Sequence, residues 1–222
     1  MDKYEYSADP CGASSLPFWK TELVTLPRGV RVIREDAFSG PLPGETDEPY
    51  FKLLHRLESV PEPRLPDGFA PVSCGLEELA AHINSCYERE HVTARELEAY
   101  RARPVFRPEL WIAVRDTASG AVAASGIAEL DPALSEGVLE WIQVSPGLRR
   151  RGLGSFIVCE LLKRLKESAR FVTVSGRMES ESRPFELYTS CGFEAPVIWH
   201  VITAPRNGDA SGETPVLNNT EL

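Results

Sequence analysis

Residues 144–155, VSPGLRRRGLGS, have the residue types and spacing most suited to chemistry, because three consecutive arginines precede two glycines. An apolar segment typical of a strand comes before them and an amphipathic helical pattern follows. Unpaired backbone N–H groups at the start of that helix would point the same way, with the positive end of the helix dipole behind them. Gly152 and Gly154 lack a Cβ, so phosphate oxygens can approach the backbone closely. The pattern predicts a pyrophosphate cradle.

The charge distribution agrees with a local anion site. Residues 149–170 contain seven basic and two acidic residues, a balance of +5, whereas the whole chain has 24 Lys and Arg against 33 Asp and Glu, a net charge of −9. An acidic chain repels nucleic acid and anionic membranes, so we expect neither as a partner. No run of 18 apolar residues and no apolar leader is present, which favours a cytoplasmic protein.

Two other phosphate-binding motifs do not fit this spacing. A P-loop requires Lys and then Ser or Thr after its last glycine, but Ser155 and Phe156 follow Gly154. A dinucleotide-binding fingerprint requires its first glycine directly after the strand, whereas Gly152 lies eight residues beyond Val144. A basic helix face with a glycine turn, without any bound anion, remains an alternative interpretation.

Glu140 is the candidate general base because it lies within the strand 137–144, which is apolar apart from Glu140 and Gln143. A desolvated carboxylate tends to have a raised pKa, which suits proton abstraction near neutral pH. The alternative is a structural carboxylate that pairs with Arg or Lys on the neighbouring hairpin. Glu129 and Asp131 are competing candidates for the base.

The elements that must position these residues follow a regular order from residue 69 onward. Hydrophobic periodicity predicts a strand, a helix from 76, and a second helix that starts at Thr93 with Glu96 as its capping-box partner. A β-hairpin, the strand 137–144, a helix after Gly152, the strand 171–176, a short helix from 184 and a last strand 197–202 follow. Strand, helix and strand over 137–176 predict a βαβ unit with a parallel pair.

The first third of the chain has a different composition, since ten of the 18 prolines fall within residues 1–71. Its clearest elements are a β-like run at 30–33 and a short amphipathic piece around 50–57. We expect residues 1–65 to be a supporting extension that packs on a core domain at 66–205, and residues 206–222 to be a disordered tail. Five widely spaced cysteines without a CxxC pair indicate reduced thiols, and the four histidines lack metal-ligand spacing, so no metal is expected.

Two motifs together resemble those of the GNAT superfamily of acyl-CoA-dependent N-acyltransferases. The pattern V-x-P-x-x-[R/Q]-x-x-G-x-[G/A] is matched from Val144 to Gly154, and a segment similar to A-x-x-L-Y-x-x-x-G-F supplies Leu187, Tyr188, Gly192 and Phe193. The segments CGASSLPFWK, LEWIQV and VIWHVI further resemble a bacterial subgroup with an N-terminal extension. Glu181 stands where the family often has Asn, and Pro184 replaces the common Ala.

The resemblance implies an α/β (α+β) fold with a mixed, mostly antiparallel central sheet and a parallel βαβ acyl-CoA-binding unit flanked by helices. It implies acetyl-CoA as co-substrate and direct attack of a primary amine on the thioester, with Tyr188 as hydrogen-bond donor to the departing thiolate. The position of the base varies within the superfamily, so Glu140 stays the candidate on the residues alone. The implied cofactor-binding residues are Ile142, Gln143, Val144, Arg149, Arg150, Arg151, Gly152, Leu153, Gly154 and Ser155. Alternatives are a non-catalytic acyl-CoA-binding sensor or scaffold, another acyl group, or a hydroxyl acceptor.

The acceptor amine and the oligomeric state stay open at this stage. In the superfamily the acceptor wall is usually formed by the segment corresponding to 76–103. This segment carries six glutamates, so a cationic acceptor is possible, although such charges can also be a solvated helix face. The six are Glu77, Glu78, Glu88, Glu90, Glu96 and Glu98.

Overall fold

The computed structural model of the protein describes residues 1–205, so the tail expected at 206–222 lies outside the described residues. The strands are β1 (Val30–Arg34), β2 (Thr46–His55), β3 (Phe69–Val72), β4 (Trp111–Asp116), β5 (Val122–Asp131), β6 (Glu136–Val144), β7 (Phe171–Arg177) and β8 (Glu194–Thr203). The helices are α1 (Lys3–Ala8), α2 (Leu76–Cys86), α3 (Ala94–Arg101), α4 (Leu153–Leu165) and α5 (Pro184–Ser190).

The eight strands form one sheet in the order β1-β8-β2-β7-β6-β5-β4-β3. Each neighbouring pair is antiparallel except β6 and β7, which are parallel and are joined through α4. The mixed, mostly antiparallel sheet, the β4–β5 hairpin and the βαβ unit are confirmed. A right-handed βαβ crossover places its helix on one face of the sheet, which is why α4 covers β5 and β6.

Helices and irregular segments cover both faces of the sheet. On one face the apolar stripe of α4, including Ile157, Leu161 and Leu165, packs with Leu139 and Val174 in the main core. On the other face α2 and α3 pack on Ile127 and Trp141. The residues before β1 also cover this second face, where Tyr6 and Lys20 are buried. The central strands are therefore shielded on both sides.

Strand β2 lies inside the sheet, between β7 and β8, although it belongs to the proposed extension. Residues 50–55 are all buried, and Tyr50 to His55 pair with Arg177 to Val172 of β7. The amphipathic piece around 50–57 is thus a central strand. The boundary at residue 65 stays a prediction, but the segment before it supplies two of the eight strands.

The helix termini agree closely with the sequence signals. Thr93 is the N-cap of α3 and forms the expected capping box with Glu96. Helix α2 ends at Cys86, and Tyr87, whose spacing from Leu76 would fit the apolar stripe of the helix, has extended backbone. The five cysteines are unpaired. Among residues 1–205, no helix has the length and apolarity needed to cross a membrane.

Candidate active site

A β-bulge at Glu140 separates the ends of the parallel pair. Along β6, Leu139 pairs with Ala128 and Trp141 pairs with Ile127, so Glu140 is the extra residue. A bulge bends its strand and interrupts the ladder. The pairing of β6 with β7 accordingly stops at Leu139, opposite Val174. Beyond this point β6 has no strand partner on its β7 side.

A cleft of about 1020 Å³ opens where the two strands separate. Its walls come from the ends of β6 and β7, the start of β2, the loop after α2, the start of α4, and α5 with the loop before it. Small-molecule sites are commonly about 300–1,000 Å³, so the space suits a large ligand. The cleft is the candidate active site.

Most residues of the predicted cradle line this cleft. A single 3₁₀ turn, Pro146–Leu148, leaves β6, and Arg150 and Gly152 then have positive φ angles of 64° and 84°. Gly152 is the N-cap of α4, and no side chain caps the helix. The N–H groups of the first turn, Leu153 to Ser155, lack intrahelical acceptors because four such groups are unpaired at any helix start. Glycine is required at 152 because its left-handed backbone strains other residues.

Gly154 is needed for a reason that the sequence did not reveal. A Cβ at this position would lie 3.1 Å from Leu187 Cδ2 and 3.7 Å from Val144 Cγ2. The missing side chain therefore lets α4 approach α5 and the end of β6. Gly154 lines the cleft as well, so phosphate approach and helix packing both favour glycine.

The structure brings most of the predicted site residues to the cleft. Ten of them line it, namely Glu140, Ile142, Gln143, Val144, Arg149, Arg150, Gly152, Gly154, Ser155 and Tyr188. Two do not: Leu153, with 1% of its surface exposed, is in the main core, and the Arg151 guanidinium lies 4.8 Å above the Phe69 ring. Only the backbone of Leu153 can contribute to the cradle. The roles of all twelve residues stay predictions.

Arg149 and Arg150 occupy different environments. Arg149 is half-buried, and its guanidinium is 3.4 Å from the Val144 carbonyl and 3.3 Å from the Cys86 carbonyl. It therefore joins the end of β6 to the end of α2. The Arg150 side chain is 69% exposed, with Glu186 4.0 Å away. Both cations line the cleft beside the unpaired N–H groups of α4.

Glu140 pairs with a residue that we did not expect. Lys20 Nζ donates to Glu140 Oε1 at 2.6 Å, and the two side chains are 1% and 4% exposed. The expected alternative was a partner on the neighbouring hairpin, but Lys20 comes from the segment before β1. An ion pair across 120 residues leaves no local sequence signal.

The competing carboxylates lie outside the residues that line the cleft. Glu129 is buried beside Arg103, whose Nη1 is 3.0 Å from its Oε1. Burial, followed by the negative charge of Glu140, raises the pKa of Glu129 to about 7. Asp131 Oδ1 accepts from the backbone N–H of Ala133 at 2.7 Å and so stabilises the turn after β5.

Two tyrosines line the cleft, and sequence reasoning identified only one. Tyr188 is buried on α5 against Phe51 and Phe193, and burial raises the pKa of its hydroxyl above the ordinary value. Tyr87 donates to the Ile142 carbonyl at 3.2 Å, and burial and then Tyr188 raise the pKa of its hydroxyl as well. Its place at the end of the α2 stripe made Tyr87 resemble an ordinary core residue.

The acidic residues of the expected acceptor wall divide into two groups. Glu88 and Glu90 line the cleft, together with Glu48 of β2. Arg177 of β7 lies 2.9 Å from Glu90, and Arg89 lies 3.1 Å from Glu48. The other glutamates lie away from the cleft lining: Glu78 pairs with Arg115, Glu96 closes the capping box, Glu98 pairs with Arg101, and Glu77 is in the first turn of α2.

Comparisons with known proteins agree with this architecture. Residues 123–200 match the family model described as FR47-like protein. A GCN5-related N-acetyltransferase from Sphaerobacter thermophilus is similar over 75% of this chain and 55% of its own, with 20% identity and a TM-score of 0.62. One from Kribbella flavida is similar over 80% and 68%, with 17% identity and a TM-score of 0.52. None of the curated proteins matches this chain.

These similarities concern the fold and one segment. The chain spans about 55% of the length of the Sphaerobacter protein. The matched segment runs from β5 to β8 and thus includes the bulged strand, the cradle, α4 and α5. The mixed sheet has its counterpart in these structures and residues 123–200 match the FR47-like model, so the chain has the fold of the GCN5-related N-acetyltransferases.

Proposed function

We propose that the protein transfers an acetyl group from acetyl-CoA to a primary amine of a small molecule or peptide. The observation that carries this proposal is the cleft at the β6–β7 separation, whose lining includes Arg149, Gly152 and Gly154 of the predicted cradle together with Glu140 and Tyr188. The same cleft would thus combine a pyrophosphate site with acid and base groups. Among residues 1–205 no group of three or more His, Cys, Asp or Glu could hold a metal ion, and the proposal uses none.

The cradle fits the pyrophosphate of coenzyme A. Hydrogen-bond donors at the wall of the cleft come from the first-turn N–H groups of α4 and from the guanidinium groups of Arg149 and Arg150. The two guanidinium groups also supply positive charge. The backbone of 142–144 has no β7 partner. The Ile142 and Val144 carbonyls accept from Tyr87 and Arg149, and the remaining polar groups of this backbone would bind a pantetheine arm. Acetyl-CoA would supply the activated thioester, and a backbone N–H near Val144 would stabilise the developing oxyanion.

Glu140 and Tyr188 are assigned the proton-handling roles. An α-amine with a pKa of about 8 is roughly one-tenth neutral at pH 7, whereas a lysine-like amine near 10.4 is neutral at about one part in 2,500. Glu140 would remove a proton from the amine, which matters most for the more basic acceptor. Tyr188 would hydrogen-bond the thiolate, since full proton transfer from a tyrosine to a thiolate is uphill.

A non-catalytic acyl-CoA sensor is the second candidate, and the Lys20–Glu140 ion pair is the observation that favours it. A buried carboxylate with a cation 2.6 Å away is satisfied without any substrate. In that case Glu140 would stabilise the bulge and the N-terminal segment. The cleft and the cradle would then bind the ligand without turnover.

The deciding experiment follows thiol release from acetyl-CoA with a panel of amines whose pKa values span about 8 to 10.5. We expect turnover with at least one amine, and slower turnover in Tyr188→Phe with CoA binding retained. Calorimetry with CoA on both proteins is the control for binding. Binding without turnover on any amine would refute the enzyme and support the sensor.

A further inference from the structure

The segment before β1 places a lysine in contact with Glu140, which lines the candidate active site. Lys20 ends the 3₁₀ turn Phe18–Lys20 and is 1% exposed. Its Nζ lies 2.6 Å from Glu140 Oε1, at the bulge where β6 and β7 separate. Lysine is almost never fully buried unless it is paired. The contact therefore joins the first 20 residues to the carboxylate assigned as the base.

Several hydrogen bonds fix this segment on the sheet. The Phe18 N–H donates to Glu136 Oε2 at 3.1 Å. Lys52 Nζ, on β2, donates to the carbonyls of Ser14 and Leu16 at 2.9 and 2.8 Å. The backbone on the N-terminal side of Lys20 is thus held by two buried charged groups. The position of the lysine relative to Glu140 follows from the fold and does not depend on a mobile surface chain.

Glu129, Arg103 and Tyr100 are other charged and titratable groups near Glu140. Glu129 of β5 pairs with Arg103, which follows α3, and the Arg103 guanidinium lies 3.5 Å from the Tyr100 ring of α3. Glu129 Oε2 has no hydrogen-bond partner among the described residues, and burial raises the pKa of Glu129 to about 7. The positive charges of Lys20 and Arg103 act in the opposite direction on Glu129. Lys20 therefore influences both carboxylates, and its ion pair at 2.6 Å joins it to Glu140.

We propose that Lys20 is a positioning residue that fixes the Glu140 carboxylate at the cleft, which makes the N-terminal segment a part of the active site. This inference rests on the proposed function. Lys20 occupies Oε1 of Glu140, so the proton leaves the ammonium nitrogen of the acceptor and bonds to Oε2. The acceptor becomes a neutral amine and Glu140 becomes a carboxylic acid beside the Lys20 ammonium.

The test compares Lys20→Met, Lys20→Arg and Lys52→Met in the full chain. Lys52 is a matched control because it is equally buried and anchors the same segment, while its own hydrogen bonds go to Tyr6, Ser14 and Leu16. The measurement is the pH profile of kcat/KM, from pH 6 to 9.5, for an amine of high pKa. Thermal unfolding and CoA affinity are recorded for each variant.

Lys20→Met should lower kcat/KM for the high-pKa amine by about 10–100-fold across the profile, because the Glu140 carboxylate loses the contact that orients it. CoA affinity should stay unchanged. Lys20→Arg should keep most of the original rate, and Lys52→Met should lower the unfolding temperature with a much smaller loss of rate. An unchanged rate in folded Lys20→Met, or an equal loss in Lys52→Met, would overturn the proposal.

A double variant keeps the proposal testable if Lys20→Met does not fold. Lys20→Met combined with Glu140→Gln leaves no buried charge unpaired, so it should fold and be no slower than Glu140→Gln alone. A double variant at least tenfold slower than Glu140→Gln would show that Lys20 acts through something other than Glu140. Absence of turnover in the unaltered protein would instead refute the proposed function, so the two failures are distinguishable.

Discussion

Replacing Ser155 with Glu should separate cofactor binding from helix stability. Ser155 is the third residue of α4, is exposed, and lines the cleft. A carboxylate in the first turn of a helix interacts favourably with the macrodipole, by about 0.3–1 kcal/mol. The same carboxylate would face the pyrophosphate. The variant should therefore be at least as stable as the wild type in the absence of ligand, while its affinity for CoA falls.

The expected loss follows from electrostatics at the cradle. At a separation of about 6 Å and an effective dielectric constant of about 20, each phosphate charge repels the carboxylate by roughly 3 kcal/mol. Screening by solvent and salt should remove about half of the total repulsion from the two phosphates, which leaves ~3 kcal/mol. A repulsion of this size lowers the affinity for CoA by about 100-fold. At a CoA concentration of 100 times the wild-type Kd, stabilisation by ligand falls from about 2.7 to about 0.4 kcal/mol.

Thermal unfolding with and without CoA measures both effects. For a chain of this size 1 kcal/mol shifts Tm by about 2–4 °C, so the CoA-induced shift should fall from about 5–11 °C to about 1 °C. Ser155→Gln is the matched control, since it has the same size without the charge and should keep most of the shift. The reasoning is refuted if Ser155→Glu retains the full shift or if Ser155→Gln loses it equally. Ser155 is a better position for this probe than Gly152, because the positive φ of Gly152 strains any side chain placed there.

Three further predictions follow from the same site. Glu140→Gln should slow a high-pKa amine by about 10²–10⁴ and an amine of pKa near 8 much less, as measured by CoA release; equal losses would identify Glu140 as structural. The pKa of Glu129 is about 7 when folded and about 4.5 when unfolded, so stability falls as pH rises through that window. As pH rises from 4.5 to 8, the free energy of unfolding of Glu129→Gln, measured with urea, should rise by about 3 kcal/mol relative to that of the wild type. The same pH dependence of the unfolding free energy in both proteins would contradict this. Deletion of residues 1–65 removes β1 and β2 and should yield aggregated protein; a soluble, active product would show that the extension is dispensable.

Local sequence signals predicted the second half of the fold well. The capping box at Thr93, the β4–β5 hairpin and the α4 stripe are encoded within windows of a few to about 20 residues. The order from β3 to β8 and the parallel pair followed from these elements and from the handedness of βαβ units. The predicted cradle residues also lie close together at the cleft, because they are consecutive residues at the start of one helix.

Contacts between distant segments could not be predicted in the same way. The 50–57 piece has an ambiguous short pattern, and nothing within it specifies that β7 and β8 will lie on either side. Lys20 is one of 24 basic residues in the chain, and its partner Glu140 is 120 positions away. Tyr87 matched a helical stripe although the helix ends before it. Each of these depends on tertiary packing, which overrides local preference.

The open cleft itself depends on the N-terminal strand. Beyond Val174, β7 no longer pairs with β6, and its last residues, Ser175 to Arg177, pair with Lys52 to Tyr50 of β2. The fit is close at Gly176, where a Cβ would lie 2.6 Å from the Phe51 ring. Without β2 the end of β7 would have no partner on either side, and unpaired strand ends fray or collapse onto a neighbour. The extension thus supports one wall of the cleft through β2 and contacts the proposed base through Lys20. Residues 1–65 therefore contribute both to the stability of the sheet and to the geometry of the site.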